Sequence, residues 1–236
     1  MLIDIITASY KSGKTLQRAI DSVQAQDHAD WHLIVVDDAS PDNSPVIAAE
    51  AALSDARITP VLKEKNEGLI ASRNTGLEHL RGEWVAFLDG DDYYMPNHLT
   101  NFLKFHERHP DTEMFVGKPH ILGDPHVPYY YDVENTMVDA REQAFEGSLF
   151  VKRSLINRVG VVFDPSDEVK VLGQKFYDRM VQEGARISPI AGQTCYYDRT
   201  GAQSITINAM REMQENKAMT KKFITHGPQL LPYLIT

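Results

Sequence analysis

The sequence predicts an α/β protein in which helices flank a mostly parallel central sheet. Two observations support this fold class. Short runs rich in Ile, Val and Leu recur through the first half of the chain, and they are nearly continuous rather than alternating, as in strands buried on both faces of a parallel sheet. Segments of helical periodicity separate the runs, and this alternation indicates a doubly wound architecture. The apolar runs occupy residues 2–7, 31–36, 57–62 and 83–88.

The helices of the first half are predicted from the spacing of their apolar side chains. In residues 16–23, Leu, Ala, Ile and Val fall at positions i, i+3, i+4 and i+7, which places them on one face of a helix. Similar spacing marks residues 70–80 and residues 99–106, and Pro96-Asn97 supplies a start signal for the last of these helices.

The second half of the chain is less regular. Its predicted elements are a strand and a short helix in residues 147–160, a helix over residues 173–184 with Phe176 and Met180 facing inward, and a strand at residues 185–190. Residues 119–135 are rich in Pro and Gly and predict a long loop, although they include three consecutive tyrosines.

The domain organisation is predicted to be simple. A chain of 236 residues is long enough for one large domain, and no repeat or linker divides it. We expect one domain over residues 1–206, with halves at residues 1–110 and 111–206, followed by a polar helical tail at residues 207–236.

The composition excludes several classes of function. The net charge is −9 and no block of Lys or Arg occurs, so the chain is a poor candidate for binding nucleic acid or an anionic membrane surface. The single cysteine, Cys195, excludes an internal disulfide framework and fits a reducing compartment. We expect no signal peptide and no transmembrane segment, hence a cytoplasmic protein, free or held by partners at the inner face of a membrane. The apolar segment 230–235 leaves an oligomer open.

The polar residues that follow each apolar run are expected to meet at one edge of the sheet. In open parallel sheets, ligands bind at the carboxyl ends of the strands. The segments in question are Ala8-Ser9-Tyr10, Asp37-Asp38, Asn66-Glu67-Gly68 and Asp89-Gly90-Asp91-Asp92. They combine small residues with carboxylates, which is typical of a ligand site.

The segment FLDGDDYYMP, residues 87–96, contains three carboxylates in four positions. Neighbouring carboxylates disfavour one another's charged form, and a divalent cation with oxygen ligands relieves that conflict. Asp89 and Asp91 are therefore candidate ligands of Mg²⁺ or Mn²⁺, and Gly90 allows a tight turn and a close approach of ligand. The alternative is a solvated acidic turn that caps the helix after Pro96.

Four further residues are candidate ligand contacts. Asp37 and Asp38 exceed what capping requires, and a carboxylate here can accept from a pyrimidine N–H or from ribose hydroxyls. Gly68 lies at a predicted helix start, where backbone N–H groups favour an anion. Arg73 leans toward the packed face of the same helix, where it is expected to pair with a phosphate or with Asp37 or Asp89, and such an ion pair would not exclude a phosphate role.

These segments carry a family resemblance. The strings SYK, DDASPD, NEGLIASRNTG and FLDGDDYYMPNHL occur in the order and at the approximate intervals found in the inverting glycosyltransferases of family 2, which have the A-type nucleotide-sugar-binding fold (GT-A). The resemblance is strong over residues 1–110. It continues weakly through residues 147–164 and 196–206.

The resemblance implies a function and a set of roles. A sugar would pass from a nucleotide donor, a UDP sugar, to a hydroxyl of a carbohydrate or lipid-linked acceptor in cell-surface polysaccharide or glycolipid synthesis, with Mn²⁺ or Mg²⁺ as cofactor. Asp89 and Asp91 would form the D-x-D motif, with Asp91 as the direct metal ligand. The implied donor contacts are Ala8 and Tyr10 on the base and ribose, Asp37 and Asp38 on the nucleoside, and Arg73 near the base or diphosphate.

The general base is the point where the chain departs from the family. Family members carry an acidic pair ahead of a late helix, and this chain has Leu172-Gly173 at the aligned position. Inversion needs a base for the acceptor hydroxyl, and the candidates are Asp167 and Glu168. A nucleotide-sugar-binding or scaffold protein without turnover is therefore the alternative function.

Three other functions fit the sequence less well. The SGKT string at residues 12–15 suggests a phosphate loop, but the first glycine of that motif should stand where Ala8 does. An aspartyl-nucleophile phosphotransferase would need Thr or Val where Tyr93 stands. A nucleotidyltransferase would need a richer glycine and basic loop than Ser9-Tyr10-Lys11.

Overall fold

The fold is described by a computed structural model, which covers residues 1–122, 129–131, 137–139, 146–167, 169, 172–198 and 200. The helices in this part of the chain are α1 (Leu16–Gln24), α2 (Ser44–Ser54), α3 (Gly68–Leu77), α4 (His98–Arg108), α5 (Arg153–Val159) and α6 (Leu172–Gln182). The strands are β1 (Ile3–Ser9), β2 (Trp31–Asp37), β3 (Ile58–Leu62), β4 (Trp84–Phe87), β5 (Tyr93–Tyr94), β6 (Met114–Val116), β7 (His120–Leu122), β8 (Tyr129–Tyr131), β9 (Met137–Asp139), β10 (Leu149–Lys152), β11 (Ile187–Pro189) and β12 (Cys195–Asp198).

A seven-stranded sheet forms the centre of the fold, in the order β11-β6-β10-β4-β1-β2-β3. Neighbouring strands are parallel within the group β4-β1-β2-β3, and β11 is parallel to β6. Strand β10 runs antiparallel to both β4 and β6. The predicted fold class, a mostly parallel central sheet flanked by helices, is confirmed.

Each face of the sheet packs a separate hydrophobic core. Alternate residues of β2 divide between them, because successive side chains of a strand point to opposite faces. Leu33 and Val35 join the core under α1, α2 and α4, while Ile34 and Val36 join the core under α3, α5 and α6. Every residue of β2 is buried, as its continuous apolar run predicts.

The predicted buried faces of α1 and α6 are confirmed, whereas the helix predicted at residues 70–80 ends at Leu77, so that Leu80 lies beyond α3. The buried residues of α1 are Leu16, Ala19, Ile20 and Val23. On α6, Phe176 and Met180 are fully buried. None of the helices in the described part of the chain has the length and apolar character that crossing a bilayer requires.

The predicted loop at residues 119–135 is wrong in two places. Strand β7 joins a second, three-stranded sheet of order β5-β12-β7, and the three tyrosines form β8, which pairs with β9. The Pro and Gly content pointed to a loop, but tyrosine favours strands and the partner of β7 lies far away in sequence. The predicted tail, residues 207–236, lies outside the described residues, and the division into one domain stays a prediction.

Candidate active site

The carboxyl ends of β1, β2 and β4 bring three predicted segments to one edge of the sheet. Ser9 pairs in register with Asp37, and the Asp38 N–H donates to the Ser9 carbonyl over 2.9 Å. Tyr10 follows β1 with 44% of its surface exposed. A Cβ on Gly90 would lie 2.9 Å from the Ser12 Oγ and 3.5 Å from the Ala8 carbonyl oxygen. The acidic loop, residues 89–92, therefore packs directly on the end of β1.

Two side chains from the loop after β2 hold the loop after β1. The Lys11 N–H donates to the Ser40 Oγ over 3.1 Å, and the Gly13 N–H donates to the Asp42 Oδ2 over 3.0 Å. Lys11 and Ala39 both have positive φ, 56° and 55°, a strained backbone that clusters at functional sites. Because the Gly13 amide is bonded to a carboxylate, it is not available to a phosphate, which argues against the phosphate-loop alternative.

Asp37 is oriented toward this edge by Ser40. The carboxylate accepts from the Ser40 N–H over 2.9 Å and from the Ser40 hydroxyl over 2.6 Å, and Asp37 is buried. Its orientation is thereby held before any ligand binds. The sequence predicted only a turn role for Ser40 and not its contact with Asp37, although an acidic residue three positions before a serine in a turn is a recognisable signal.

Asp38 turns away from Asp37 and caps the start of α3. Its carboxylate accepts from the Lys63 ammonium over 2.7 Å, from the Glu67 N–H over 3.0 Å and from the Gly68 N–H over 2.7 Å. Burial favours the neutral carboxyl, but these bonds outweigh burial and lower the pKa of Asp38. The Gly68 amide is therefore occupied by Asp38, and the positive φ of Gly68, 88°, is what requires glycine there.

Arg73 pairs with Asp89, one of the two carboxylates that the sequence suggested. The Arg73 Nη2 lies 3.0 Å from the Asp89 Oδ1, and the guanidinium lies within 6 Å of the rings of Phe87 and Phe163. The Arg73 side chain is 3% exposed, whereas that of Asp89 is 35% exposed. Asp89 thus has a fixed partner on one side and keeps an accessible face.

Asp91 and Asp92 are acids whose charged forms are disfavoured. Burial, then the charge of Asp89, raise the pKa of Asp91 to about 6. Asp92 is fully buried, and burial together with the charges of Asp91 and Asp89 raises its pKa well above the usual range. The Asp92 Oδ1 accepts from the Asp198 N–H over 2.9 Å, while the buried Asp92 Oδ2 has no hydrogen-bond partner among the described residues.

This arrangement fits a divalent cation whose ligands come partly from the protein and partly from a bound substrate. Within the described residues, no group of three or more His, Cys, Asp or Glu side chains could enclose a metal ion. Asp89 and Asp91 offer hard carboxylate oxygens at one loop, and a cation there would stabilise the disfavoured charge of Asp91. Mg²⁺ and Mn²⁺ are commonly held by one or two carboxylates plus phosphate oxygens, so the donor set is suitable.

Arg18 and Asp198 also belong to this edge, and our sequence analysis missed both. The Arg18 Nη2 donates to the Asp91 carbonyl over 2.6 Å, and its Nη1 lies 2.7 Å from the Asp198 Oδ2. The position of Arg18 off the apolar face of α1 gave no sign of this role. Asp198 lies at the end of β12, within residues 196–206, where the family resemblance is weak and assigned no role to this carboxylate.

The structure separates the candidate bases. Asp167 forms a bidentate ion pair with Arg179, with distances of 2.6 and 2.9 Å, and its side chain is 6% exposed. Glu168 lies outside the described residues. Leu172, at the position where the family carries an acid, is buried in the core. Cys195 is fully buried, and burial raises the pKa of its thiol, so it is not poised as a nucleophile.

Known proteins resemble this chain in sequence over its first half. The profile of glycosyl transferase family 2 matches residues 4–148. TuaG of Bacillus subtilis (strain 168), a glycosyltransferase named for teichuronic acid biosynthesis, is 38% identical over 116 residues, which cover 49% of this chain and 46% of TuaG. WfgD of Escherichia coli, a UDP-Glc:alpha-D-GlcNAc-diphosphoundecaprenol beta-1,3-glucosyltransferase, is 40% identical over 98 residues, covering 42% of this chain and 38% of WfgD. The chain spans less than half the length of either relative.

Solved structures share the fold over most of the chain. S. aureus TarS 1-349 in complex with UDP-GlcNAc matches with a TM-score of 0.67 and 21% identity, over 86% of this chain and 60% of that chain. Mannosyltransferase PcManGT from Pyrobaculum calidifontis in complex with GDP-Man and Mn²⁺ matches with a TM-score of 0.67 and 19% identity, over 90% of this chain and 61% of that chain. The profile match covers more than half of the residues, so this chain belongs to glycosyl transferase family 2.

Proposed function

We propose that this chain transfers a sugar from a nucleoside diphosphate sugar to an acceptor hydroxyl with inversion, and that a divalent cation assists the transfer. The observation that carries the proposal is the convergence of Tyr10, Asp37, Asp89 and Asp91 at one edge of the sheet. WfgD uses UDP-Glc and TarS binds UDP-GlcNAc, which supports a UDP sugar as donor. PcManGT carries Mn²⁺, which supports Mn²⁺ or Mg²⁺ as the cofactor.

The donor's nucleoside would lie between the ends of β1 and β2. Tyr10 presents an exposed ring to the base, with Ala8 as a small neighbour. Asp37 accepts from a ribose hydroxyl or a base N–H in the orientation that Ser40 sets. Asp38 and Gly68 would affect the nucleoside only indirectly, by holding the start of α3, because the Gly68 N–H donates to the Asp38 carboxylate.

The diphosphate would lie against the acidic loop. Asp91, together with Asp89, would hold the cation, and Arg73 fixes one oxygen of the Asp89 carboxylate by an ion pair of 3.0 Å. When bound, the cation offsets the negative charge that develops on the diphosphate as the sugar leaves. Gly90 keeps this loop close to Ala8, and so keeps the diphosphate close to the nucleoside site.

The proposed general base is either Asp167 or Glu168. To take a proton from the acceptor, Asp167 would have to leave its ion pair with Arg179, which donates a hydrogen bond to each of its two carboxylate oxygens. This pair, together with the buried Leu172, favours a second candidate function: a nucleotide-sugar-binding protein without turnover.

The names of two relatives support a setting for the reaction. TuaG is named for teichuronic acid biosynthesis and WfgD for an acceptor linked to diphosphoundecaprenol. We therefore propose a carbohydrate or lipid-linked acceptor in polysaccharide synthesis. The proposed location is the cytoplasm, at the inner face of a membrane where a lipid-linked acceptor is reached.

Asp91→Ala tests the metal site. Calorimetric titration of the wild type with UDP and with GDP should show one nucleotide whose binding tightens with Mn²⁺, by about tenfold or more. Asp91→Ala should lose this Mn²⁺ dependence. Asp21→Ala, which removes an exposed carboxylate from α1, is the matched control and should retain it. Retention of the full Mn²⁺ effect in Asp91→Ala would disprove the assignment.

A nucleotide-release assay distinguishes the two candidate functions. It uses the preferred donor in the presence of a carbohydrate acceptor. Asp167→Asn and Glu168→Gln should be assayed beside the wild type. Full turnover in both variants would exclude both candidate bases. Tight donor binding with no release from the wild type would favour the binding protein.

A further inference from the structure

A single guanidinium joins three parts of the candidate site that are distant in sequence. Arg18, on α1, donates from Nη2 to the Asp91 carbonyl over 2.6 Å and from Nη1 to the Asp198 carboxylate over 2.7 Å. Its plane also lies over the Tyr93 ring, 4.5 Å from the ring centre. Because the donors of arginine form a rigid fork, these three contacts fix its position more firmly than an ammonium could.

Asp198 completes the connection from the other side of the loop. Its N–H donates to the Asp92 Oδ1 over 2.9 Å, and its Oδ1 accepts from the N–H and hydroxyl of Thr200 over 2.9 and 2.6 Å. Its side chain is only 9% exposed. Asp198 therefore presents an oriented carboxylate to Arg18 while its backbone holds Asp92.

The acidic loop needs such a restraint. Three carboxyl groups lie in residues 89–92, Asp198 adds a fourth nearby, and Gly90 leaves the backbone between them free to turn. The carbonyl that Arg18 holds belongs to Asp91, so the direction of the Asp91 peptide, and with it the direction of its carboxylate, depends on this bond.

We propose that Arg18 and Asp198 form a clamp that holds the acidic loop, residues 89–92, in the geometry that binds a divalent cation together with a nucleoside diphosphate. Arg18 is here a positioning residue, since it contacts the backbone and a carboxylate of the protein. The inference rests on the proposed function, because it concerns the same cation and the same nucleotide.

The test measures Mn²⁺ affinity directly. Free Mn²⁺ is followed by electron paramagnetic resonance during titration of protein saturated with UDP, or with GDP if the wild type prefers it. Arg18→Gln and Arg18→Lys should each weaken Mn²⁺ binding about tenfold to a hundredfold, the range for residues that orient metal ligands. Arg18→Lys keeps the charge and loses the fork, so wild-type affinity in this variant would overturn the proposal.

Arg57→Gln is the matched control. Arg57 is 40% exposed, against 42% for Arg18, pairs with the Asp55 carboxylate over 2.7 Å, and stacks on Trp31 with its guanidinium 3.7 Å from the ring centre. It holds no part of the candidate site. Its loss should leave Mn²⁺ affinity within about twofold of the wild type, and an equal loss in Arg57→Gln would attribute the effect to general destabilisation and overturn the clamp.

Asp198→Asn tests the second residue of the clamp. It should weaken Mn²⁺ binding, and the double variant with Arg18→Gln should be no weaker than the worse single variant, because both break one connection. Fully additive losses would overturn the clamp. A wild type that binds the nucleotide but never Mn²⁺ would instead refute the metal site itself, whereas Mn²⁺ binding unchanged by Arg18→Gln would refute only the clamp.

Discussion

Asp38→Asn should destabilise the fold more than the same change at Asp55. Both carboxylates accept three or more hydrogen bonds and both pair with a cation. They differ in burial: Asp38 and its partner Lys63 are 4% and 9% exposed, whereas Asp55 and its partner Arg57 are 13% and 40% exposed. Solvent screens the second pair, so its contribution to stability is small.

The magnitude follows from what each substitution leaves behind. Breaking a buried ion pair costs about 3–5 kcal/mol when the other charge is left alone. Lys63 keeps a second partner, since Glu67 lies 3.1 Å away, so we expect Asp38→Asn to cost about 2–3 kcal/mol of unfolding free energy. An exposed pair contributes about 0.2–1 kcal/mol, which is the expected cost of Asp55→Asn.

Urea unfolding at pH 7 measures both costs, and the pKa values alone would suggest the opposite order. The pKa of Asp55 is lowered to about 2, chiefly by Arg57, whereas burial offsets much of the lowering at Asp38. A cost for Asp55→Asn that equals or exceeds that for Asp38→Asn would refute the argument from burial. Because the folded pKa of Asp38 is lowered, its contribution is present above about pH 4 and should fade as the pH falls through that folded pKa.

Two other substitutions test the core and the acidic loop. Burial lowers the pKa of His98 to about 3. Between pH 6.5 and 3, His98 is therefore protonated in the unfolded chain and neutral in the folded chain. Lowering the pH in this range removes about 1.4 kcal/mol of stability per pH unit. His98→Gln should flatten the slope of urea stability against pH from 6 to 5, and an unchanged slope would exclude His98 as its source. Gly90→Ala places a Cβ 2.9 Å from the Ser12 Oγ and 3.2 Å from its Cβ, so it should weaken Mn²⁺-dependent nucleotide binding in calorimetry. Adding Ser12→Gly should recover part of the loss, and no recovery would contradict this steric explanation.

The parallel half of the fold was predictable because its signals are local. Strands buried on both faces have continuous apolar runs, and α1 shows its buried face within nine residues. Strand β7 was missed because it is three residues long and its partner, β12, follows more than seventy residues later. A strand whose stability depends on a distant partner leaves only a weak local pattern.

The candidate site divides in the same way. Asp37, Asp89 and Asp91 could be placed at one edge because Asp37 ends β2, the other two follow β4, and parallel strands bring such ends together. Arg18 and Asp198 could not, because their significance lies only in which groups they contact across the fold. An arginine on the polar face of a helix has the same sequence signal whether it is solvated or holds a loop.

The adjacent acids Asp37 and Asp38 show how far sequence proximity can mislead. Successive side chains at the end of an extended strand point in opposite directions, so neighbours in sequence serve different parts of the fold. Asp37 is held by Ser40 at the ligand edge, while Asp38 faces Lys63 and the start of α3. Three donors already occupy Asp38, so its effect on a nucleotide passes through the position of Gly68 and α3. Asp38→Asn should therefore affect stability more than nucleotide affinity.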